Sequence, residues 1–310
     1  MIRSSIRGVT NYFPFLKALR LRISPSLYAW IDLIDEAARN GQLTAHTSAL
    51  VKSHEISPQG HAVHAFARQI EDKCRGKLKE FAQSPLAHID EVVNEIVRWK
   101  TILQCGHTHD VSKGYFIDAE KSIEFQWNQI IYPIIKDLNF ASVLDLACGH
   151  GRNSEYLRHY TKELHLVDIN KSCIDACRER FGIEKDGTRF FYHVTDGNHL
   201  RMIPDASISL VYTWDSMVHF DKLVVKDYIR EVKRVLISGG SAFLHHSNYG
   251  AVSPDSDWAH NEGTRSDMSA ELMRIYADEI GLEVTKQNLQ GLKEGWGTEN
   301  LDCVSVLRRV

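Results

Sequence analysis

Short apolar runs alternate with helical stretches from residue 142 to the end of the chain. The runs predict strands because they are rich in Val, Leu and Ile and end in turn-forming residues. They are Ser142–Leu146, Glu163–Asp168, Phe190–Thr195, Ile208–Trp214, Ser241–His246, Leu282–Leu289 and Leu301–Arg308. Helices are predicted up to about Tyr160, from Lys222 to a stop at Gly239-Gly240, and from Met268 to Ile280. This alternation predicts an α/β fold with a mostly parallel sheet of seven strands, whose last two form an antiparallel hairpin.

A glycine loop follows the first predicted strand. The chain passes from an apolar run that ends at Asp145 and Leu146, through Gly149 and Gly151, into a helical pattern at Asn153. Glycine lets a ligand approach the backbone closely, and a helix start offers free N–H groups. The loop therefore predicts a site for a nucleotide-like cofactor.

Two kinds of cofactor compete for this loop. A dinucleotide fingerprint would place a third glycine where the chain has Ser154. Asp145 favours the other interpretation, since its carboxylate would repel a pyrophosphate but pair with the ammonium of an amino-acid-bearing cofactor. S-adenosylmethionine carries that ammonium and no phosphate, so it is the favoured cofactor.

Acidic residues end or follow four successive predicted strands, and they are Asp145, Asp168, Asp196 and Asp215. The carboxyl ends of parallel strands meet at the edge of the sheet where ligands bind. Asp168 is placed to accept hydrogen bonds from two ribose hydroxyls, and Asp196 to accept one from an adenine amine. One such acid is often only a turn cap, but four in succession predict a shared crevice.

Five segments together resemble the class I S-adenosylmethionine-dependent methyltransferases. They are Val143–Gly151, Val167–Ile169, Thr195–Gly197, Leu210–Phe220, and Glu231–Leu236 with Gly239-Gly240. The resemblance extends from about Tyr115 to Val310. It implies a Rossmann-like sheet of seven strands, S-adenosylmethionine as cofactor and S-adenosylhomocysteine as product. The chain departs from the family pattern at Ala147, where many members have glycine, and at Asn153, which replaces the third loop glycine.

The resemblance also implies which residues bind the cofactor. Besides Asp145, Asp168, Asp196 and the two loop glycines, these are Ala147, Arg152, Asn153, Ile169, Gly197 and Trp214. Tyr115 and Trp127 belong to a helical stretch before the first strand. They either close over the cofactor or pack this stretch against the sheet.

Methyl transfer to a hydroxyl needs a base, and the pKa of histidine suits that role. The candidates are His219 after the fourth predicted strand, and His245 and His246 at the end of the fifth, with Asp215 nearby. Side chains alternate along a strand, so His245 and His246 are predicted to point to opposite faces. Any of the three histidines can instead be structural.

A long polar loop extends from His246 to Asp267. It contains Asp255, Asp257, Trp258, His260, Asn261 and Arg265. These groups suit a polyhydroxylated or phosphorylated acceptor, and the pattern is loosely similar to methyltransferases that modify sugars, polysaccharides or natural products. A divalent metal held by Asp215, Asp255, Asp257 and His246 is the less favoured alternative, so no residue is assigned as a metal ligand.

Residues 1–110 carry none of these motifs and are predicted to be mainly helical. We assign them to an N-terminal region that serves as a lid, a dimer contact or a docking module, before a methyltransferase domain at 111–310. His61, His64 and the segment Cys105–Asp110 contain metal-ligand residue types. Without a second paired cluster, a polar linker is favoured over a metal site.

The composition indicates in which compartment the protein resides and which classes of partner it binds. The chain has 310 residues, of which 43% are hydrophobic and 25% charged, and its net charge of −3 argues against a nucleic-acid partner. The six cysteines form no CxxC pair, which predicts a reduced, cytoplasmic protein. The sequence contains no apolar run long enough to predict a transmembrane segment.

The main hypothesis is O-methylation of a small molecule, a sugar or a glycan with a histidine base. N- or C-methylation of a metabolite is the first alternative. A non-catalytic S-adenosylmethionine-binding scaffold, docked or oligomerised through the N-terminal region, is the second. A nicotinamide-dependent oxidoreductase is disfavoured because Asp145 stands where a phosphate would pass.

Overall fold

The computed structural model describes residues 113–253, 265–291 and 299–310. The predictions for residues 1–110 lie outside the described residues. So do those for Asp255, Asp257, Trp258, His260 and Asn261, and for the side chain of Tyr115.

One sheet of eight strands forms the centre of the described part of the chain. The strands are β1 Val143–Leu146, β2 Glu163–Asp168, β3 Glu184–Lys185, β4 Thr188–Val194, β5 Ile208–Thr213, β6 Leu236–Ser247, β7 Glu283–Gln290 and β8 Asp302–Arg308. Their order is β3-β4-β2-β1-β5-β6-β8-β7. The five strands from β4 to β6 in this order are parallel, whereas β8 is antiparallel to both β6 and β7. The predicted α/β class, mostly parallel sheet and C-terminal antiparallel hairpin are confirmed.

The predicted count of seven strands is wrong because of β3. This two-residue strand pairs antiparallel with β4 through a tight hairpin at Asp186 and Gly187. Both turn residues have positive φ angles, 52° and 82°. An Asp-Gly pair is a strong hairpin signal, so the sequence contained the information for this strand.

The helices flank the sheet and connect its strands. They are α1 Lys113–Glu120, α2 Ile123–Gln126, α3 Tyr132–Ile135, α4 Ser154–Leu157, α5 Lys171–Phe181, α6 Lys222–Val235, α7 Tyr249–Val252 and α8 Ala270–Ile280, with a π-helical turn at Trp127–Ile131 and a 3₁₀ turn at Met217–His219. Caps delimit α6 and α8: the Asp221 side chain accepts from Leu223 N–H, and Ser269 accepts from Leu272 N–H. The described helices all lack the length and apolar character that a membrane span requires.

The junction between α6 and β6 differs from the prediction. The helix ends at Val235 and β6 begins at once with Leu236, so Gly239 and Gly240 lie inside the strand. Pairing with β5 shifts register between Ile208 and Leu210, which marks a bulge. A Cβ atom on Gly240 would lie 2.9 Å from a backbone oxygen, so the glycines permit close backbone approach in the bulge and do not stop the helix.

The hydrophobic core fills the space between one face of the sheet and the helices α2 to α5. Its members include Ile131, Leu157, Ile174, Tyr212 and Phe243, all of which are buried. The helices α6 and α8 contact β6, β7 and β8 and each other. This packing leaves the carboxyl ends of the parallel strands available for a site.

Candidate functional site

The loop between β1 and α4 bends sharply because three of its residues have left-handed backbone conformations. The φ angles are 58° at Ala147, 54° at Gly149 and 78° at Gly151. A Cβ atom on Gly151 would lie 2.5 Å from the Phe181 ring, so glycine is needed there for space as well as for conformation. Ala147 adopts the left-handed conformation with a side chain, at a cost of about 1–2 kcal/mol.

Asp168 at the end of β2 holds this loop. Its Oδ2 accepts a hydrogen bond from the Gly149 N–H at 2.9 Å, and its Oδ1 accepts one from the Asn170 N–H at 2.8 Å. A carboxylate has about four acceptor positions, so it can accept ligand hydroxyls in addition to these two donors. The residue thus joins the end of β2 to the glycine loop and has acceptor positions left for a ligand.

Asp145 lies beneath the loop. The residue is 2% exposed, and its Oδ2 accepts a hydrogen bond from the Ser154 hydroxyl at 2.5 Å. Burial raises the pKa of Asp145 from 3.8 to about 7, and the Ser154 hydrogen bond opposes this shift. A cation placed against this carboxylate would favour its ionised form, which suits pairing with an ammonium group.

A small open cleft lies beside the loop. Five of the predicted cofactor residues line it: Ala147, Gly149, Arg152, Asn153 and Trp214. Asn153 is held in place by the Tyr212 hydroxyl, which donates to its Oδ1 at 3.0 Å.

Six further residues line the cleft, although the sequence alone did not indicate them as site residues. They are Phe116, Ala119, Glu120, Cys148, His150 and Ser216. The last three lie within or next to the quoted motifs, and this adjacency could have identified them. Phe116 on α1 stacks on the His150 ring, with centroids 3.8 Å apart. Nothing in the sequence of α1 indicates this contact, because it depends on how the helix packs.

A second sharp turn follows β5 at Asp215, whose φ is 59°. Non-glycine residues in this conformation are uncommon and are enriched at ligand sites. The Asp215 N–H donates to Nδ1 of His245 at 3.0 Å, and Nη2 of Arg152 donates to Oδ2 of Asp215 at 3.2 Å. The Ser216 hydroxyl donates to the carbonyl oxygen of Ala147 at 3.1 Å. The end of β5 is therefore joined directly to the glycine loop.

The two histidines near the end of β6 lie on opposite faces of the sheet. His245 stacks on Trp214, with ring centroids 4.1 Å apart. His246 contacts the other side, where Nε2 lies 2.8 Å from the Ser305 hydroxyl and Nδ1 lies 2.8 Å from the carbonyl oxygen of Ser247. Burial lowers the pKa of His246 to about 4. Both ring nitrogens of His246 are thus engaged away from Trp214.

His219 lies in the 3₁₀ turn that follows the Asp215 turn. The residue is 7% exposed, and its backbone N–H donates to the carbonyl oxygen of Ser216 at 3.1 Å. A charge on His219 lowers the pKa of His245. His219 follows Asp215 by four residues in the chain, whereas Asp215 and His245 are joined directly by the hydrogen bond to Nδ1.

Asp196 organises the turn after β4. Its Oδ1 accepts a hydrogen bond from the His199 N–H at 3.1 Å, and its Oδ2 lies 3.2 Å from Nδ1 of His199. Gly197 follows with a φ of 99°. The side chain of Asp196 is 32% exposed, so its carboxylate is accessible at the sheet edge. Ile169 is half-buried after Asp168.

Trp127 packs in the core and does not line the cleft. It is buried, and its ring lies 5.1 Å from the Tyr156 ring between centroids. Its neighbour Gln126 reaches the site instead, since the Trp214 indole N–H donates to Gln126 Oε1 at 3.0 Å. This geometry favours the packing interpretation of Trp127.

Acidic and imidazole side chains in the described ranges do not assemble into a metal site. Among these residues, no group of three or more His, Cys, Asp or Glu side chains is arranged to hold an ion. Arg265, which was predicted to contact an acceptor, is engaged with Asp302: Nε donates to Oδ1 at 3.0 Å and Nη2 to Oδ2 at 2.9 Å.

The part of the chain that contains this site is similar to known proteins. Residues 143–240 match a family model described as a methyltransferase domain. No curated protein sequence matches the chain. A solved structure from Pyrococcus horikoshii is 22% identical, with 64% of this chain and 93% of that chain covered and a TM-score of 0.47. A SAM-dependent methyltransferase from Methanosarcina mazei is 18% identical, with coverages of 58% and 98% and a TM-score of 0.48. One from Clostridium acetobutylicum is 17% identical, with coverages of 64% and 99% and a TM-score of 0.47.

Proposed function

We propose that this chain, whose residues 143–240 match a methyltransferase domain, is a class I S-adenosylmethionine-dependent methyltransferase that transfers the methyl group to a hydroxyl oxygen of a small molecule, a sugar or a glycan. Bound S-adenosylmethionine would supply a methyl group on a sulfonium, from which an in-line acceptor oxygen takes the methyl carbon while S-adenosylhomocysteine leaves. The residues of the chain then have two tasks: they hold the cofactor, and they orient and deprotonate the acceptor.

We place the cofactor in the cleft between the glycine loop and the end of β5. Asp168 would accept the ribose hydroxyls, because its carboxylate already fixes the loop through Gly149. Asp145 would pair with the ammonium group, which offsets the desolvation that raises the pKa of this carboxyl. Asp196 would accept the adenine amine from its accessible position after β4.

The polar residues in and beside the turn after β5 support an oxygen acceptor most directly. A hydroxyl needs a base, and Asp215, His219 and His245 supply imidazole and carboxylate groups next to the cleft-lining residues Trp214 and Ser216 in this turn. Of the three histidine candidates, His219 is proposed as the base. His246 is engaged on the opposite face, and Nδ1 of His245 accepts the Asp215 N–H.

The cellular compartment of the protein is proposed from the state of its cysteines. The described cysteines, Cys148, Cys173, Cys177 and Cys303, are all buried thiols. This supports a reduced, cytoplasmic environment. An oligomer formed through residues 1–110 stays a prediction.

Methyl-labelled S-adenosylmethionine tests the proposal. The protein is incubated with a fractionated extract, with and without a chelator, and beside the Asp168→Ala variant as a control for cofactor binding. Label is expected in small-molecule or glycan fractions, attached through oxygen, and independent of the chelator. Label confined to protein or nucleic acid would contradict the acceptor class, and bound cofactor with no labelled product would support a scaffold.

A further inference from the structure

His245 connects the turn beside the cleft to a buried ion pair behind it. Its Nδ1 accepts the Asp215 N–H at 3.0 Å, while its Nε2 lies 3.8 Å from Oδ2 of Asp302. We propose that His245 is a positioning residue, which holds the Asp215 turn in its left-handed conformation and so keeps the Asp215 carboxylate beside the methyl acceptor. The inference rests on the proposed function and deepens it by naming what orients the acceptor side of the site.

The Asp215 turn needs such support because its backbone is strained. A φ of 59° is uncommon at a residue with a side chain, and it persists where neighbouring contacts enforce it. Trp214 and Ser216, on either side of Asp215, both line the cleft. A change of the turn would therefore move three consecutive side chains at the site.

Two contacts from His245 act on this turn. The ring stacks on Trp214 with centroids 4.1 Å apart, and Nδ1 accepts the backbone N–H of the strained residue itself. On the cleft side of the turn, Arg152 Nη2 lies 3.2 Å from Oδ2 of Asp215. The carboxylate is thus held between a cation that lines the cleft and a turn whose backbone is fixed from behind.

The protonation of His245 determines whether this arrangement holds. Because Nδ1 accepts the Asp215 N–H, it carries no proton, and the proton of the neutral ring is on Nε2, which faces Asp302. Burial lowers the pKa of His245 well below its usual range, and nearby Arg265, His246, His219 and Arg152 act in the same direction. The ring therefore stays neutral, and the bond to Asp215 persists.

The ion pair behind His245 fixes the position of the facing carboxylate. Arg265 binds Asp302 through two parallel hydrogen bonds, and both residues are buried. Asp302 and His245 project from adjacent strands, because His245 pairs with Val304 in the β6–β8 ladder. A bidentate pair of this kind restricts both side chains to one geometry, which in turn favours one tautomer of His245.

A role as base would require contact with the acceptor, and the surroundings of His245 do not provide it. The ring is fully buried between Trp214 and Asp302, and Nδ1 is bonded to backbone. Its effect on transfer must pass through Asp215. This separates His245 from His219, which is placed as the base.

Two substitutions of His245 separate the hydrogen bond from the ring stack. Phe keeps an aromatic ring against Trp214 but lacks the acceptor, whereas Asn offers an acceptor oxygen near the position of Nδ1 and lacks the ring. With methyl-labelled S-adenosylmethionine and the extract fraction that the wild type labels, His245→Phe is expected to lower kcat about 10- to 100-fold, since small displacements of positioning groups have effects of that size. The His245→Asn variant is expected to retain most of the rate.

Affinity for S-adenosylhomocysteine is expected to fall by less than kcat in His245→Phe, because the glycine loop keeps its hydrogen bond to Asp168. The His165→Phe variant, a change at a half-buried histidine of β2, is the matched control and should transfer methyl normally. Equal losses in the Phe and Asn variants, or an unchanged rate in His245→Phe, would overturn the inference while leaving the proposed function intact. A wild type that labels no acceptor would overturn the proposed function itself.

Nuclear magnetic resonance of ¹⁵N-labelled histidines tests the bond without any acceptor. Between about pH 6 and 8, Nδ1 of His245 should have the shift of an unprotonated nitrogen and Nε2 that of a protonated one. The signals are assigned by their loss in His245→Asn. Protonated Nδ1, or titration of His245 within this range, would overturn the inference.

Discussion

The backbone N–H of Gly149 donates a hydrogen bond to Oδ2 of Asp168 across 2.9 Å. This bond joins the loop after β1 to the end of β2, which are the two parts of the sheet edge where the cofactor is proposed to bind. A ligand that contacts Asp168 therefore also acts on the conformation of the loop.

Removing this carboxylate tests its part in cofactor binding. The Asp168→Ala variant is expected to weaken S-adenosylmethionine binding by about 1–3 kcal/mol, or roughly 5- to 150-fold, because charge-assisted hydrogen bonds are lost. Isothermal titration with S-adenosylhomocysteine measures the change. Asp175→Ala on α5, where the acid pairs with Lys171 at the surface, is the control and should bind normally. Unchanged affinity in Asp168→Ala would remove this residue from the site.

The loop conformation can be tested at Gly151. An alanine there combines a left-handed backbone with a Cβ atom 2.5 Å from the Phe181 ring, and we expect a loss of about 2–4 kcal/mol in the free energy of unfolding. Gly187→Ala is the matched control, since its φ of 82° is similar but the nearest atom to the new Cβ is 3.7 Å away. Its loss should be about 1–2 kcal/mol. Equal losses by urea denaturation would mean that backbone strain alone matters at Gly151.

The buried carboxyl of Asp145 predicts a dependence of stability on pH. Its pKa is about 7 in the folded chain and 3.8 without burial, so the folded state binds the proton more tightly. The free energy of unfolding contributed by this group therefore falls as pH rises from about 4 to 7. Asparagine is always neutral, so the ligand-free Asp145→Asn variant should be about 1–4 kcal/mol more stable than the wild type at pH 8 and nearly equal at pH 4.

Urea denaturation at the two pH values measures this difference, with exposed Asp278→Asn as the control. A difference that does not change with pH would contradict the raised pKa. The same Asp145→Asn variant should bind S-adenosylmethionine less tightly, since it removes the proposed partner of the ammonium group.

Breaking the buried ion pair between Arg265 and Asp302 is expected to lower the free energy of unfolding. Arg265→Met leaves a buried carboxylate without its cation and is expected to reduce stability by about 3–5 kcal/mol. The double variant Arg265→Met/Asp302→Leu should recover most of this loss, because it leaves no uncompensated charge. Arg230→Met, which removes an exposed partner of Asp227, should change stability by less than about 1 kcal/mol. A double variant as unstable as Arg265→Met would contradict this account.

The proposed base can be tested against a surface histidine. His219→Asn is expected to lower kcat by about 10²- to 10⁴-fold, as loss of a general base does, with little change in cofactor affinity. His159→Asn at an exposed position is the control. An active His219→Asn enzyme would exclude His219 as the base and direct attention to Asp215.

Local sequence determined most of the elements of this protein. The apolar runs and the helix ends at Asp221, Ser269 and Gly281 each act within a few residues. Patterns along the chain therefore predicted β1, β2, β5, α8 and the start of α6 closely. The glycine loop was predicted for the same reason, since the conformational freedom of glycine is a local property. The start of β6 was missed because its bulge depends on pairing with β5.

The roles of the polar side chains were decided only by the tertiary structure. Asp145, Asp168 and Asp215 look alike as strand-end acids, yet one is buried against Ser154, one holds Gly149 and one meets Arg152. The histidines His245 and His246 are neighbours in sequence and contact opposite faces of the sheet. Burial, charge and hydrogen-bond partners come from residues far apart in the chain, and these set the pKa and orientation that chemistry requires.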